Sequence, residues 1–506
     1  MSVKKIQTAL LSVYNKQGID EIANKLHSLG IKIISTGGTY DYISNLNIPV
    51  EKVEDITKYP DLFSGRVKTL HPAIMGGILH KRDDQNDLSQ AAEFSIPSID
   101  LVIVDLYPFA ETLNQTDNED EIIEKIDIGG ISLIRAAAKN YNDVVCIPCR
   151  KYYTNLLELL NKKSGETTKE DRKFFAIVSF DVTSNYDMYV FEYFNKNTLP
   201  SFKKSISQHR GLRYGENPHQ KSTFFGDLDE IFEQTHGKEL SYNNLQDIEA
   251  GVDLITEIEQ PAFCIIKHGN ACGLAVADNI EKAWVDALSC DPQSAFGGIL
   301  ISNREICENT AVKINEIFFE ALVAPSFNNE AIEVLKTKKN RILLLQKKPL
   351  SKEMSYRSCL NGVLFQDKDN YKHNTSDFKV VTKSKPNEDD YNQLLLANII
   401  VKHTKSNAIV IVKDNKLIGS GMGQTSRIDA VNLAIQKAQS FGHNLNNSVL
   451  ASDAFFPFAD GIEYAMNAGV KTIIQPGGSV RDSEVINFCN KNNIAMIFTG
   501  IRHFKH

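Results

Sequence analysis

Short apolar runs alternate with helix-patterned segments along the first 150 residues, and this alternation strongly constrains the fold. Apolar runs of strand length occupy residues 6–13, 31–35, 101–104 and 144–147. In segment 19–29 the apolar residues recur at the spacing of an amphipathic helix, and Gly30 ends the segment. Because strands that alternate with helices pair in parallel, the pattern predicts a parallel sheet with helices on both faces.

The chain has 506 residues, which is too long for one hydrophobic core. Polar stretches at 162–171 and 195–210 interrupt the alternation and predict a boundary near residue 200. The first domain then spans residues 1–200, with its core in residues 1–150. The second domain spans 201–506, and its size predicts two subdomains divided near 375–390.

The second domain alternates again. Strands are predicted at residues 262–266, 298–301, 409–412, 417–421, 449–451, 472–474 and 495–498. Helices are predicted at 428–440 and 462–468, and Asp414-Asn415-Lys416 suits a tight hairpin turn. The whole chain is therefore predicted to belong to the α/β class.

Composition narrows the possible partners. The formal net charge is −7, and the chain lacks the broad basic footprint of a nucleic-acid-binding protein. No apolar run approaches the roughly 18 residues of a membrane span, and the start lacks the pattern of a secretory signal. The eight cysteines are scattered, and Cys146 of the CxxC pair is predicted to be a buried strand residue. We expect a reduced, cytoplasmic protein that binds neither nucleic acid nor membranes.

Polar motifs follow several predicted strands of the first domain. Thr36-Gly37-Gly38-Thr39 stands between a strand and a helix, where free N–H groups can cradle a phosphate; a simple chain reversal is the alternative. SGRVKTLHP at 64–72 combines two cations, two hydroxyl residues and a histidine, with a solvated loop as the alternative. DLYPF at 105–109, DIGG at 127–130 and RAAAKN at 135–140 complete the set. Taken singly, Lys139 is typical of the solvated end of a helix.

A second series of motifs begins with LRYGENPHQ at 212–220. In the sharpest of them, an apolar strand ends in Lys267-His268 and enters a Gly/Asn loop. An imidazole can act as a general base near neutral pH, and an adjacent ammonium can stabilise a tetrahedral oxyanion; a structural histidine is the alternative. Further polar or glycine-rich loops occupy residues 294–298, 320–325, 406–407, 421–427, 452–458 and 475–479. Taken one at a time, these segments are typical of turns or of core packing. Together they favour a single binding site built from several loops.

The motifs LLSV-x-x-K, STGGT, SGRVKTLHP, DLYPF, DIGG and RAAAKN occur in this order. In this combination the first domain resembles the family of bifunctional purine biosynthesis enzymes. These pair a formyltransferase acting on 5-aminoimidazole-4-carboxamide ribotide (AICAR) with IMP cyclohydrolase. The resemblance implies a methylglyoxal-synthase-like fold for the first domain. Lys68, Tyr107, Asp127 and Lys139 would surround the closing ring.

The same resemblance implies a set of nucleotide-binding residues in the cyclohydrolase domain. These are Ser12, Tyr14, Asn15, Lys16, Thr36, Gly37, Gly38, Thr39, Arg66, Val67, Thr69, Asp105, Leu106 and Ile128. Asn15 departs from the family pattern, in which an acidic residue is frequent. This departure argues against a catalytic role for its side chain but leaves a backbone contact possible.

The later motifs resemble the formyltransferase domain of the same family, which implies two cytidine-deaminase-like subdomains. His268 would be the general base and Lys267 the transition-state stabiliser, with Asn407 beside them. The residues implied to meet AICAR also include Arg213, Tyr214, Gly297, Glu320 and Arg427. The residues implied to line the folate side are Ile428, Asp460, Ser479, Val480 and Arg502.

The resemblance further implies 10-formyltetrahydrofolate as co-substrate, no catalytic metal, and a homodimer with the transferase site between subunits. The small-molecule partners would be AICAR, formyl-AICAR, IMP and folate. A zinc-dependent deaminase is one alternative, but its HxE and PCxxC motifs are absent from the sequence. A nonenzymatic nucleotide sensor is another. It would need the phosphate cradle but not the combination of Lys68, Asp127, Lys139, Lys267 and His268.

Overall fold

A computed structural model describes residues 3–60, 62–63, 67–196, 198–350 and 353–506. The chain forms two compact units, Met1–Ser207 and Gln208–His506. Among the described residues, no helix has both the length and the apolar character needed to cross a membrane.

A five-stranded parallel sheet forms the centre of the first unit, in the order β4-β3-β2-β5-β6. A separate antiparallel ribbon pairs β1 with β7. The strands are β1 (Lys4–Lys5), β2 (Thr8–Val13), β3 (Lys32–Ser35), β4 (Glu51–Lys52), β5 (Leu101–Asp105), β6 (Val145–Ile147) and β7 (Glu166–Thr167). The strands predicted at 6–13, 31–35, 101–104 and 144–147 are therefore confirmed, with ends shifted by at most two residues.

Helices cover both faces of this sheet, as predicted. They are α1 (Ile19–Ser28), α2 (Gly37–Asn45), α3 (Val53–Thr57), α4 (Pro72–Leu79), α5 (Gln85–Glu93), α6 (Phe109–Thr112), α7 (Glu119–Glu124), α8 (Gly129–Lys139), α9 (Tyr153–Lys163) and α10 (Lys169–Asn195), with a 3-10 turn at Arg150–Tyr152. Helices α1, α9 and α10 pack on one face of the sheet, and α3, α4 and α8 pack on the other. Leu160 and Phe175 belong to the first core, so the core extends beyond residue 150, where the sequence pattern had placed its end.

A twelve-stranded sheet runs through the second unit, in the order β10-β15-β14-β13-β11-β12-β20-β19-β21-β22-β23-β18. Two hairpins lie outside it, β8–β9 and β16–β17. The strands are β8 (His209–Leu212), β9 (Ser222–Phe225), β10 (Phe232–His236), β11 (Ala262–Lys267), β12 (Asn270–Val276), β13 (Ile299–Ser302), β14 (Ala321–Ala324), β15 (Ile342–Gln346), β16 (Met354–Cys359), β17 (Gly362–Asp367), β18 (Lys379–Val380), β19 (Ile409–Lys413), β20 (Lys416–Gly421), β21 (Val449–Ser452), β22 (Thr472–Gln475) and β23 (Ala495–Phe498).

Helices pack on both faces of this sheet. The helices are α11 (Leu228–Ile231), α12 (Tyr242–Ile255), α13 (Ile280–Cys290), α14 (Pro292–Ala295), α15 (Glu308–Asn315), α16 (Asn329–Leu335), α17 (Glu388–Lys402), α18 (Arg427–Ser440), α19 (Asp460–Asn467) and α20 (Asp482–Lys491), with a 3-10 turn at Thr375–Asp377. Helices α12 and α17 share one core across the whole sheet, whereas α13, α15 and α16 form a second core and α18, α19 and α20 a third.

The second unit repeats one topology. The series α12, β11, β12, α13, β13, β14, β15 is matched in order and strand direction by α17, β19, β20, α18, β21, β22, β23. The two halves meet where β12 pairs antiparallel with β20, at Ala275 and Lys416. Because this join is antiparallel, the parallel strands of the two halves run in opposite directions. The edge of the sheet that holds the starts of β13, β14 and β15 therefore also holds the carboxyl ends of β21, β22 and β23.

The two halves carry equivalent hairpin turns. His268 and Gly269 join β11 to β12 with φ of 52° and 74°, and Asp414 and Asn415 join β19 to β20 with φ of 52° and 57°. The turn predicted at residues 414–416 is confirmed. The prediction of a Gly/Asn loop after His268 is wrong. Only His268 and Gly269 form the turn, and β12 begins at the next residue, Asn270.

Candidate active sites

The start of α2 forms the predicted glycine turn at the carboxyl end of β3. Thr36 precedes the helix in an extended conformation, and Gly37 adopts a φ of 41°. The first N–H groups of a helix have no acceptor within it, so the two glycines present theirs at this end. The Thr39 hydroxyl donates to Val13 O at 3.0 Å and ties the turn to β2. Ser12 Oγ lies 3.3 Å from Thr36 Oγ1, which completes a polar rim.

Lys68 brings a positive charge to this turn. A Cβ added to the first glycine would stand 3.0 Å from Lys68 Nζ, so the ammonium packs directly against that backbone. The same Nζ lies 3.2 Å from Glu54 Oε1 on α3. Two other members of the motif have different surroundings, since Val67 is exposed and Thr69 is buried. Arg66 lies outside the described residues.

Asp127 lies just before α8, where main-chain donors hold its carboxylate. Gly130 N–H donates to Oδ1 at 2.6 Å, and the N–H of Tyr107 faces the same carboxylate. Burial raises the pKa of Asp127, and these two N–H groups oppose the rise. Burial, and then the nearby charge of Asp127, raises the pKa of Tyr107. This corner therefore pairs a carboxyl group that binds protons more tightly than usual with a phenol that keeps its proton.

Aromatic rings form the wall beside Asp127. The rings of Tyr14 and Tyr107 meet edge to face, with centroids 5.4 Å apart. Lys125 Nζ lies 5.5 Å from the first centroid and 5.7 Å from the second. Ile128, next to Asp127, is 59% exposed. This half-exposed wall offers flat and apolar faces to a heterocycle.

The loop after β2 is fixed by Asp105 at the end of β5. The Asp105 carboxylate accepts the N–H of Asn15 at 2.9 Å, and the Asn15 side-chain oxygen accepts the N–H of Gln17 at 2.9 Å. Lys16 Nζ donates to the carbonyl oxygens of Val13 and Tyr14. Burial lowers the pKa of Lys16, and the charge of Asp105 opposes that change.

Tyr186 also fixes this corner, and the sequence motifs did not reveal it. Its hydroxyl accepts the N–H of Asp127 at 2.8 Å and donates to Lys125 O at 2.7 Å. The residue lies in the middle of α10, 59 positions from Asp127, and no local motif marks it.

Among the described residues, no hydrogen bond or ion pair joins Lys139 to this group. It is the last residue of α8, whereas Asp127 precedes the first. Ten residues of helix separate Gly129 from Lys139, which corresponds to about 15 Å along the axis. The Lys139 side chain is exposed. A role for Lys139 at the closing ring therefore stays a prediction.

In the second unit, Lys267 and His268 lie where β11 turns into β12. Lys267 Nζ donates to Phe296 O, and His268 is exposed at the tip of the turn. Asn270 secures the far side, because its Nδ2 donates to His268 O at 3.0 Å and its Oδ1 accepts Lys405 N–H at 3.0 Å. The turn is thereby tied to the segment that precedes β19.

Gly297 and Glu320 stand on the same edge of the sheet as this turn. Both precede strands of the first half, and β11 runs antiparallel to β13. A Cβ at Gly297 would stand 3.5 Å from Lys267 Nζ. Glu320 Oε2 lies 2.6 Å from Lys238 Nζ, a contact that the sequence motifs did not predict.

Asn407 and Arg427 approach this edge from the second half. Arg427 forms a buried ion pair with Asp453 and donates to Asn407 Oδ1 at 3.0 Å. Asn407 Nδ2 donates to Gln424 O at 2.9 Å, so both ends of its amide are engaged. The guanidinium of Arg427 therefore positions Asn407, and this contact was not apparent from the sequence.

Arg213 and Tyr214 lie beside the start of α12. The Arg213 guanidinium donates to Tyr214 Oη at 3.0 Å and stands 4.7 Å from the ring centroid. Arg213 N–H donates to Leu240 O, and Tyr242 N–H donates to Tyr214 O, each at 3.4 Å. The pair presents a cation and a hydroxyl together.

The predicted folate-side residues lie at one edge of the second half, after the ends of strands or at the starts of helices. Parallel strands β21, β22 and β23 place their carboxyl ends there. Ser479 Oγ accepts Arg481 N–H at 3.1 Å, and Val480 beside it is 100% exposed. The three other members are Ile428 on α18, Asp460 at the start of α19 and Arg502 after β23.

The two groups thus lie in different units of one α/β enzyme. Comparison with known proteins gives the family. A family model described as "AICARFT/IMPCHase bienzyme" matches residues 137–437, and one described as "MGS-like domain" matches residues 18–132. The chain belongs to the family of AICARFT/IMPCHase bienzymes, which confirms the family, the enzyme class and the α/β fold predicted from the motifs.

Individual relatives match along nearly the whole chain. The "Bifunctional purine biosynthesis protein PurH" of Bacteroides thetaiotaomicron is 52% identical over 503 residues, 99% of each chain. The protein of the same name from Thermoanaerobacter sp. is 44% identical and covers 98% of this chain and 99% of its own. A solved structure titled "Crystal structure of ForH" is 34% identical, covers 38% of this chain and 100% of its own, and has a TM-score of 0.33.

Proposed function

We propose that this chain catalyses the last two steps of IMP synthesis. In the first, the 5-amino group of AICAR takes the formyl group of 10-formyltetrahydrofolate, and tetrahydrofolate leaves. In the second, the carboxamide nitrogen of formyl-AICAR attacks the formyl carbon, and the ring closes to IMP with loss of water. The observation that carries this proposal is the 52% identity, over 99% of both chains, to a bifunctional purine biosynthesis protein.

Formyl transfer is assigned to the turn between β11 and β12. The AICAR amine is conjugated to a ring that carries a carboxamide, so it is a weak nucleophile and must lose a proton as it attacks. His268 at the exposed tip of the turn accepts that proton. Lys267 donates to the oxyanion that forms on the formyl carbon. Asn407, fixed by Arg427, contacts the amine.

Ring closure is assigned to the group around Asp127. An amide nitrogen is a poor nucleophile, so its attack needs a proton acceptor and a polarised formyl oxygen. The raised pKa of Asp127, caused by burial, makes this carboxylate a better proton acceptor than an exposed one. Lys68 and Tyr107 donate to the oxygen that leaves as water. The phosphate of the nucleotide binds the N–H groups at the start of α2.

The remaining ligand contacts follow the predicted sets. The residues that bind AICAR in the second unit are Arg213, Tyr214, Gly297, Glu320 and Arg427. The folate lies against Ile428, Asp460, Ser479, Val480 and Arg502. The family resemblance also supports a homodimer with the transferase site between subunits, which sedimentation of the purified protein and mixing of two inactive variants would test.

Paired substitutions test the division of labour. His268→Ala is expected to abolish formyl transfer while leaving closure of supplied formyl-AICAR intact. Lys68→Ala is expected to do the reverse. Both activities are followed by absorbance with AICAR plus 10-formyltetrahydrofolate, or with formyl-AICAR alone. If the unmodified protein forms no IMP, the proposal fails; if either folded variant loses both activities, the assignment of separate sites fails.

Lys139→Ala belongs in the same experiment. A catalytic Lys139 predicts loss of ring closure with formyl transfer retained. Retained closure would remove Lys139 from the catalytic set and leave Lys68, Tyr107 and Asp127.

A further inference from the structure

Asp247 on α12 lies directly beneath the turn that carries His268. We propose that Asp247 is a positioning residue for formyl transfer, which holds the His268–Gly269 turn in its catalytic conformation. The inference rests on the proposed transferase function. It adds a residue that neither the motifs nor the family resemblance had singled out.

The contact runs through the backbone of the turn. Gly269 N–H donates to Asp247 Oδ1 at 2.6 Å, and the N–H of His268 faces the same carboxylate. Two successive N–H groups therefore converge on one acceptor from a helix 22 residues earlier in the chain. Asn270 holds the carbonyl of His268 from the other side, so the main chain of the turn is fixed at both polar groups.

The turn needs such an anchor because of its conformation. His268 has a φ of 52°, a left-handed conformation that is unfavourable for a residue with a Cβ. At the equivalent turn of the second half, Asp414 and Asn415 occupy both positions, and such short polar residues tolerate this conformation best. Histidine also adopts this conformation, but it lacks the short side chain with which Asp and Asn bond the local backbone. The Asp247 carboxylate supplies such a contact from outside the turn.

The environment of Asp247 suits this task. Burial raises the pKa of its carboxyl group, while the two N–H groups and the charges of His268 and Lys267 oppose the rise. An ionised carboxylate only accepts hydrogen bonds, and N–H donors to a charged acceptor form stronger bonds than donors to a neutral one. The imidazole is therefore carried on a backbone fixed to a helix of the shared core.

Two substitutions and one control test the proposal in the full chain. Asp247→Ala removes both acceptors, and we expect kcat for formyl transfer to fall about 10- to 100-fold, because a small displacement of a catalytic group has effects of this size. Asp247→Asn keeps one acceptor oxygen at nearly the same volume, so its kcat should lie between those of Asp247→Ala and the unmodified chain. The KM for AICAR and the rate of ring closure should not change.

Gln393→Ala is the matched control. Gln393 on α17 is the equivalent of Asp247 on α12, because each stands 15 positions before the equivalent alanine, Ala408 or Ala262. The amide oxygen of Gln393 has no hydrogen bond within the described part of the chain. We expect its kcat to equal that of the unmodified protein. Hydrogen–deuterium exchange of the peptide that contains residues 268–270 should speed up in Asp247→Ala and not in Gln393→Ala.

Several outcomes would overturn the proposal. These are an unchanged kcat in Asp247→Ala, a parallel loss of ring closure, and exchange at 268–270 no faster than in the control. A fall in Asp247→Asn as large as in Asp247→Ala would also oppose it, since the remaining acceptor would then contribute nothing. Failure of the proposed function looks different, because the unmodified chain would then form no IMP from AICAR and 10-formyltetrahydrofolate.

Discussion

Asp453→Asn removes the counter-charge of a buried guanidinium in the second unit. Asp453 is 1% exposed and Arg427 is 8% exposed, and their side chains form an ion pair. Loss of one partner leaves the other charge buried and uncompensated, so we expect the free energy of unfolding to fall by about 3–5 kcal/mol. Since Arg427 also donates to Asn407, kcat for formyl transfer should fall, while ring closure in the other unit continues.

A single tryptophan makes the stability assay specific to this unit. Trp284 is 1% exposed and lies in the core formed by α13, α15 and α16, so its fluorescence during urea denaturation follows the second unit. Asp229→Asn is the matched control. Its carboxylate lies 2.6 Å from Arg210, but the two side chains are 67% and 41% exposed, and such pairs contribute at most about 1 kcal/mol. Equal losses in the two variants would refute the argument from burial.

Two further predictions concern the polar contacts behind the sites. Tyr186→Phe removes the hydroxyl that bonds Asp127 N–H, so ring closure should slow while formyl transfer is unchanged; equal rates of both would contradict this. Burial acts to raise the pKa of Glu257, but hydrogen bonds and charges from His403 and Lys402 outweigh it and hold the pKa below 4.5. Its stabilisation is therefore present above pH 4.5 and lost as pH falls through the lower, folded value. Glu257→Gln should flatten that acid limb in urea denaturation, and parallel curves would contradict the assignment.

Most strands that form the centres of the two sheets were predictable, because a short apolar run of strand length is typical of a buried strand. Strands β12, β14 and β15 were not predicted, and residues 320–325, predicted as a loop, contain β14. In β12 the Gly and Asn residues of NACGLAV are typical of a loop. In the structure, Gly273 is required by packing. A Cβ there would stand 2.3 Å from Ala287 O on α13, and one at the equivalent Gly419 would stand 2.4 Å from Ala434 O on α18. These glycines permit a helix to approach a strand, and a single sequence does not distinguish that use from a turn.

The residues that support the sites were harder to predict than those proposed to carry the chemistry. Lys267 and His268 end an apolar strand, and such a position suggests chemistry even without a structure. Asp247, Tyr186 and Lys238 act through contacts that cross 22, 59 and 82 positions of sequence. Asp247 and Tyr186 lie on helices with no surrounding motif, and Lys238 lies in a polar, turn-like segment that does not indicate its partner. Only the folded backbone shows which polar group each of them meets.

The repeat in the second unit explains why the proposed transferase residues gather on one edge of the sheet. Because β12 and β20 join antiparallel, the edge with His268 and the starts of β13 and β14 also receives the carboxyl ends of β21, β22 and β23. The opposite edge has the same backbone. Asn303 follows β13 as Asp453 follows β21, and each donates its N–H to the equivalent alanine carbonyl at 3.3 Å.

The side chains at that opposite edge have nevertheless diverged. Ile280 begins α13 where Arg427 begins α18, and the Asn303 amide is used to bond main-chain groups at 258, 260 and 262. The ion pair on one edge, which fixes the amide of Asn407, is thus replaced by an apolar residue and a neutral amide on the other. Two equivalent backbones can carry one active site, because the chemistry depends on a few charged side chains and the shared topology only determines where they stand.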